Sequence, residues 1–202
     1  MGIRIGKTAA VSFALAVSAT VGTAQAQQPA APAAAAKPPE YMVINIESAT
    51  INKPAAEVWA KVGKFCDLGE WMRAPCVITS GKDGEVGAVR TIAGRIVEVM
   101  VSKTPLSYTY AQPLAADSYH GSLEIRAVTP TTSKIVYNIF RDQSALADQA
   151  AKDRDKAQRT TQFTTAVNNM KTLVETGAMP AAPAPAGRGG GGAPPAGAGR
   201  GG

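Results

Sequence analysis

From residue 77 to residue 141 six runs of β-forming residues are separated by five short turn signals, and this leaves little choice of fold. The runs at 77–82, 88–92, 95–103, 106–112, 118–129 and 133–141 read as strands. The breaks between them carry turn residues: Lys82-Asp83-Gly84, Ala93-Gly94, Thr104-Pro105, Pro113 and Pro130. Connections this short join antiparallel neighbours, so the six strands are expected to form a meander.

Four further elements flank the meander. Residues 41–51 are strand-like, with Met42, Ile44 and Ile46 alternating against Val43, Asn45 and Glu47. Asn52-Lys53-Pro54 then opens a helix, with Pro54 as a favoured first-turn residue, Glu57 near the positive end of the helix dipole, and Val58, Val62 and Phe65 on one face. A short helical turn over 68–72 precedes Pro75. After Ser144 a polar run leads into Phe163, Ala166, Val167, Met170, Leu173 and Val174, the stripe of one long C-terminal helix with a single buried face. The class is α+β: a seven-stranded antiparallel curved sheet around a long C-terminal helix, with two short helices between the first and second strands.

The ends of the chain differ in kind from its middle. Arg4 and Lys7 precede an uncharged apolar stretch at 8–22, and Ala24-Gln25-Ala26 offers the small residues of a cleavage site. Residues 1–26 therefore read as a signal peptide cut before Gln27. The alternative is an uncleaved anchor, for which the stretch is short, since about 20 apolar residues normally span a bilayer. No cysteine stands at the cut and there is no twin-arginine pair, so neither a lipid anchor nor twin-arginine export is expected. Residues 27–39 are largely Ala and Pro, and 177–202 are largely Gly, Ala and Pro. Both are expected to be disordered tethers around a domain at 40–176. That places the domain in the periplasm, with no membrane span in the mature form.

The net charge of +6 invites a nucleic-acid reading that the domain does not support. Five of the 21 basic residues lie outside 40–176, whereas all 15 acidic residues lie inside, so the domain carries 16 positive charges against 15 negative ones. The tail's two arginines make a weak electrostatic footprint, and no nucleic acid is expected as a partner.

The segments Ile51-Asn52-Lys53-Pro54-Ala55-Ala56-Glu57-Val58-Trp59, Glu70-Trp71, Gly87-Ala88-Val89-Arg90-Thr91, Val97-Glu98-Val99 and Tyr108-Thr109-Tyr110, in this order and spacing, resemble the SRPBCC or START-like superfamily, most closely its polyketide cyclase/dehydrase-like branch. The resemblance spans essentially the whole domain. It implies a helix-grip fold with an internal pocket for a small hydrophobic or aromatic molecule. Related exported members often carry His-Pro after the tryptophan. This chain has Met72-Arg73 there, so no role resting on that histidine carries over.

Strand parity sorts the candidate site residues. Tyr119, Leu123 and Ile125 share one face of their strand and His120, Glu124 and Arg126 the other, which sends the chain's one histidine outward. A histidine-based zinc or nucleophile site is therefore not expected, nor is any metal or cofactor. Tyr108, Tyr110 and Tyr137 read as inward-facing. Arg90 and Glu98 fall on opposite faces if Ala93-Gly94 is a two-residue turn. They fall on the same face if Ile92-Ala93-Gly94 is a three-residue loop with Gly94 left-handed, the reading preferred here. Together they form either an inward pair that orients a ligand or moves a proton, or a structural ion pair.

The candidate ligand-binding set is therefore Trp71, Arg90, Glu98, Met100, Tyr108, Tyr110, Tyr119, Tyr137, Phe163 and Met170. Trp71 either caps the pocket entrance or packs under the short helix, and Phe163 and Met170 are core first and pocket wall second. The two cysteines, Cys66 and Cys76, are expected to form a disulfide in an oxidising compartment, the alternative being two buried thiols. Three functions remain open. The first is a binding protein for a hydrophobic or aromatic ligand, and the second a cyclase/dehydratase-type enzyme using Glu98, Arg90 and a tyrosine. The third is an accessory protein of a periplasmic oxidation system with a protein partner.

Overall fold

The computed structural model describes residues 37–181; the expected signal peptide, most of the N-terminal linker and the tail beyond Ala181 lie outside the described residues. The elements follow in the order β1 (Tyr41–Glu47), α1 (Ala55–Val62), α2 (Leu68–Trp71), β2 (Cys76–Ser80), β3 (Val89–Ile92), β4 (Ile96–Thr104), β5 (Ser107–Ala111), β6 (His120–Thr129), β7 (Thr132–Asp142) and α3 (Gln149–Thr176). One seven-stranded sheet has the order β1-β7-β6-β5-β4-β3-β2, antiparallel throughout. This is the helix-grip fold: a meander from β2 to β7, with β1 added at the β7 edge and the helices on one face.

The alternation in β1 behaves as its sequence implies, with Met42, Ile44 and Ile46 buried and Tyr41, Val43, Asn45 and Glu47 exposed. The strand ends earlier than residue 51, at Glu47. There the Ser48 hydroxyl accepts the Ile135 N–H at 3.0 Å, and pairing resumes only at Ile51, which exchanges backbone hydrogen bonds with Ser133 at 2.8 and 3.0 Å. Irregularities in β2, β4 and β6 bend the sheet, as bulges do. Pro54 stands one residue before α1, as its cap, instead of inside its first turn.

α3 has two unlike halves. Its start is capped by the Asp148 side chain, which accepts the Ala151 N–H at 2.7 Å. Gly177 closes its end in the left-handed conformation that glycine favours there. Only from Phe163 onward does the helix bury an apolar stripe: Phe163, Ala166, Val167, Met170, Leu173 and Val174. The first half, which includes Asp155, Arg159 and Gln162, has little apolar surface to press onto the sheet. Contacts also continue past Thr176: Met179 packs against the core and Arg73 donates to the Pro180 carbonyl, so packed structure extends a few residues beyond the expected domain end.

Cys66, between α1 and α2, is bridged to Cys76 at the start of β2, with Cα atoms 5.5 Å apart. The bridge closes a short loop containing α2 and Trp71 and holds it beside the sheet. Replacing both cysteines with serine is expected to lower unfolding free energy by about 2–3 kcal/mol, the loop-closure value for a ring of this size. Urea titration of the two forms checks this.

Candidate functional site

The site is organised by a turn. Arg95 N–H donates to Ile92 O at 3.1 Å, and both central residues, Ala93 and Gly94, have positive φ (49° and 68°), as primed hairpin turns require. Pairing then resumes at Ile92↔Ile96, leaving Arg95 as one extra residue and setting Arg90 directly opposite Glu98. The same-face reading is thus the observed one, but the loop spans 93–95 instead of 92–94.

Arg90 and Glu98 are both buried. Arg90 Nε donates to Glu98 Oε2 at 2.7 Å and Nη2 lies 2.5 Å from the same oxygen, while Nη1 donates to the Phe65 carbonyl. Its guanidinium carbon sits 4.0 Å from the Phe65 ring centroid, 4.8 Å from that of Tyr110 and 5.7 Å from that of Tyr108. Burial opposes this charge, but the Tyr108 hydroxyl and the Glu98 carboxylate hold the Arg90 pKa above its ordinary value. Glu98's other oxygen accepts from Gln112 Nε2 at 2.9 Å.

Above this pair, between the sheet and the polar half of α3, lies a cavity of about 370 Å³. Of the candidate set, Glu98, Tyr110, Tyr119, Tyr137 and Phe163 line it. Tyr110 and Tyr137 share a hydroxyl–hydroxyl hydrogen bond of 2.8 Å, which uses one of their two protons and leaves the other for a further acceptor. Burial raises the pKa of both well above the ordinary tyrosine value, and it pushes Tyr119 up to about 12, so all three stay protonated near neutrality. Phe163 packs on Tyr137 with ring centroids 4.8 Å apart.

Tyr110 takes its position because its cross-strand partner is Gly121. A Cβ on Gly121 would fall 2.3 Å from the Tyr110 hydroxyl oxygen, so only glycine lets the ring lie across β6. Around the cavity the backbone takes conformations that side-chain-bearing residues seldom adopt. Ala93 in its lining, Arg73 between the lining residues Met72 and Ala74, and Ser118 beside Tyr119 all have φ near +50°. Such positions concentrate at ligand sites, where surrounding contacts enforce them.

The rest of the candidate set sits elsewhere. Arg90, Trp71 and Met170 are fully buried and do not line this cavity: Arg90 lies behind Glu98, and Trp71 packs edge-on to Tyr137 with centroids 6.0 Å apart. Trp71 is therefore the core-facing last residue of α2, its carbonyl accepting from Asn169 Nδ2 at 2.9 Å, and not an entrance cap. Met100 and Tyr108 line a second cavity of about 250 Å³, between α1 and the β4–β5 hairpin. His120 points to the outer face, its Nδ1 2.7 Å from the Ser118 carbonyl oxygen. Among the described residues no three His, Cys, Asp or Glu side chains gather as a metal site would need.

Sequence reasoning passed over Gln112 and Arg159. Gln112 shares strand parity with Tyr108 and Tyr110. Arg159 stands one helical turn before Phe163, a cation in line with the buried stripe, and those spacings were the available signals.

Removing one partner of a buried pair leaves an uncompensated charge. Arg90→Met is accordingly expected to cost about 3–5 kcal/mol, and the double change Arg90→Met, Glu98→Leu to recover most of it. A double-mutant cycle by chemical denaturation checks this. A loss in the double variant equal to the sum of the losses in Arg90→Met and Glu98→Leu alone would mean that the pair carries no coupling.

Residues 44–175 match the family described as polyketide cyclase/dehydrase and lipid transport. No curated protein sequence matches the chain. Among solved structures, the Zhui aromatase/cyclase from Streptomyces sp. R1128 is 13% identical, with 68% of this chain and 98% of that one aligned at a TM-score of 0.51. A protein from Thermobifida fusca is 17% identical, with 67% and 95% covered at a TM-score of 0.52. At these identities the likeness is one of fold. The family match over most of the domain, together with the helix-grip fold, establishes that this chain belongs to the polyketide cyclase/dehydrase and lipid-transport family.

Proposed function

We propose that the protein binds a small hydrophobic or aromatic molecule in the cavity between the sheet and α3, and that it works after export. The observation carrying this reading is the cavity's make-up. Its volume falls in the range of about 300–1,000 Å³ typical of ligand pockets, and aromatic walls surround a few converging polar groups. A planar ligand fits against Phe163 and Tyr137, with a carbonyl or hydroxyl taking the spare proton of the Tyr110–Tyr137 pair.

The state of Glu98 favours binding over proton transfer. Oε2 takes two donors from Arg90 and Oε1 takes one from Gln112, which leaves at most one lone pair facing the cavity and suits the carboxylate better to bracing Arg90 than to moving a substrate proton. The tyrosines are held protonated, which suits them as hydrogen-bond donors and not as bases. Support for export comes from the Cys66–Cys76 bridge, of a kind that persists in oxidising compartments. It agrees with the leader-like residues 1–26 and a mature start at Gln27.

Native mass spectrometry of the protein purified from the periplasm of cells that make it tests the reading. The expected spectrum shows a mature chain starting at Gln27 with a bound molecule of low mass that organic solvent releases. Gly121→Ala drives Tyr110 out of its place and is expected to lower ligand occupancy at least about tenfold while far-UV circular dichroism stays unchanged. An empty wild-type protein, or full occupancy in Gly121→Ala, contradicts the proposal.

A further inference from the structure

The charges around the cavity are one-sided in what they leave unused. Three charged side chains line it: Arg95, Glu98 and Arg159. Glu98 is the one acid, and it is spent inward, neutralised by the buried Arg90 and capped by Gln112. Arg159 is paired with Asp155 through Nε only, which leaves its Nη groups over. Arg95 has no ion-pair partner among the described residues, because it is the extra residue of the β3–β4 turn and projects from the rim.

Arg159 is held from behind. Its Nε donates to Asp155 Oδ1 at 3.0 Å, and its guanidinium carbon lies 5.3 Å from the centroid of the Tyr119 ring. Asp155 is itself fixed from two other sides, by Arg141 at 2.8 Å and by Gln143 at 2.9 Å, and Arg141 continues to Asp117 at 2.7 Å. Burial pushes the Asp155 carboxyl up, but Gln143, Arg159 and Arg141 more than offset this and hold it below the usual carboxylate range. The carboxylate therefore stays ionised and keeps the guanidinium plane in one orientation. The Nη groups of Arg159 have no acceptor among the described residues, so a two-pronged donor set is left at the mouth of an otherwise aromatic chamber.

We infer that the ligand of this cavity is an anion, an aromatic or apolar body carrying a carboxylate-like group, and that Arg159 is the residue that selects for it. The inference rests on the binding reading above and narrows it to one chemical class. The apolar body lies against Phe163, Tyr110 and Tyr137, and its anionic group meets the free Nη donors of Arg159, with Arg95 adding positive potential across the mouth. Arg159 supplies a charge-assisted, bidentate contact that a neutral ligand cannot use. Asp155 acts as a positioning residue, since it reaches the ligand only through Arg159.

A matched pair of fluorescent probes separates this inference from the reading beneath it. 1-Anilinonaphthalene-8-sulfonate and N-phenyl-1-naphthylamine share one aromatic body, and only the first is an anion. Wild-type protein is expected to bind the anion at least about tenfold more tightly than its neutral counterpart. Arg159→Gln should remove most of that preference while moving the affinity for N-phenyl-1-naphthylamine by less than about twofold. Arg159→Lys should restore part of it, and Arg126→Gln on the outer face should change neither affinity. Equal wild-type affinity for the two probes, or equal losses in Arg159→Gln, overturns the anionic inference and leaves the cavity reading in place. Gln162→Trp, which fills the mouth from the exposed side of α3, should displace both probes. Binding that survives Gln162→Trp lies outside the cavity and overturns both readings.

Discussion

The buried Arg90–Glu98 pair is the constraint around which the rest of this structure is arranged. A guanidinium and a carboxylate removed from water persist only when they satisfy one another and the groups around them. Here Arg90 meets Glu98 across the β3–β4 ladder, reaches the Phe65 carbonyl beyond α1, and lies among the rings of Phe65, Tyr108 and Tyr110. One side chain thus ties three strands to the segment that follows the first helix. The next residue, Cys66, is fastened to β2 by the disulfide. Two consecutive residues therefore anchor the α2 segment, and Trp71, its core-facing last helical residue, fills the space between that segment and Tyr137.

The cavity follows from what these anchors leave unfilled. The apolar stripe of α3 starts only at Phe163, so the preceding turns lie over the sheet without packing into it. On the sheet side, Gly121 gives up its side chain so that Tyr110 can lie across β6 and reach Tyr137. Arg73, Ala93 and Ser118, all with positive φ, stand around the opening, where the chain turns sharply. In this arrangement Glu98, backed by Arg90, belongs to the floor of the chamber and shows it a neutralised edge, and the polar groups turned toward a ligand include the tyrosine hydroxyls and the arginines of the mouth.

Much of this was legible in the residues. Period-two alternation identified the inward tyrosines and the outward His120, because a strand with one buried face tolerates no slip in register. The spaced turn signals set the meander, and the export-like N-terminus with two cysteines pointed to the bridge. The β3–β4 turn was harder, since two-residue and three-residue loops reverse the parity between Arg90 and Glu98. The observed loop keeps the parity but shifts the pairing by taking Arg95 as its extra residue. Arg159 was missed because a charge in the polar half of a helix reads as solvated; its role depends on Asp155 and Arg141, which are neighbours in space and not in sequence alone. Met179 was assigned to the tail on composition, although one apolar side chain beyond a helix cap is enough to find the core.

The most direct measurement is where a bound ligand sits. Intermolecular nuclear Overhauser effects can be recorded between N-phenyl-1-naphthylamine and the isotope-labelled protein. If the chamber under α3 is the binding site, the naphthyl protons should contact Phe163, Tyr119 and Tyr137. Contacts to Trp59 and Pro105 in the second cavity, or to Phe140 on the outer sheet face, would contradict it.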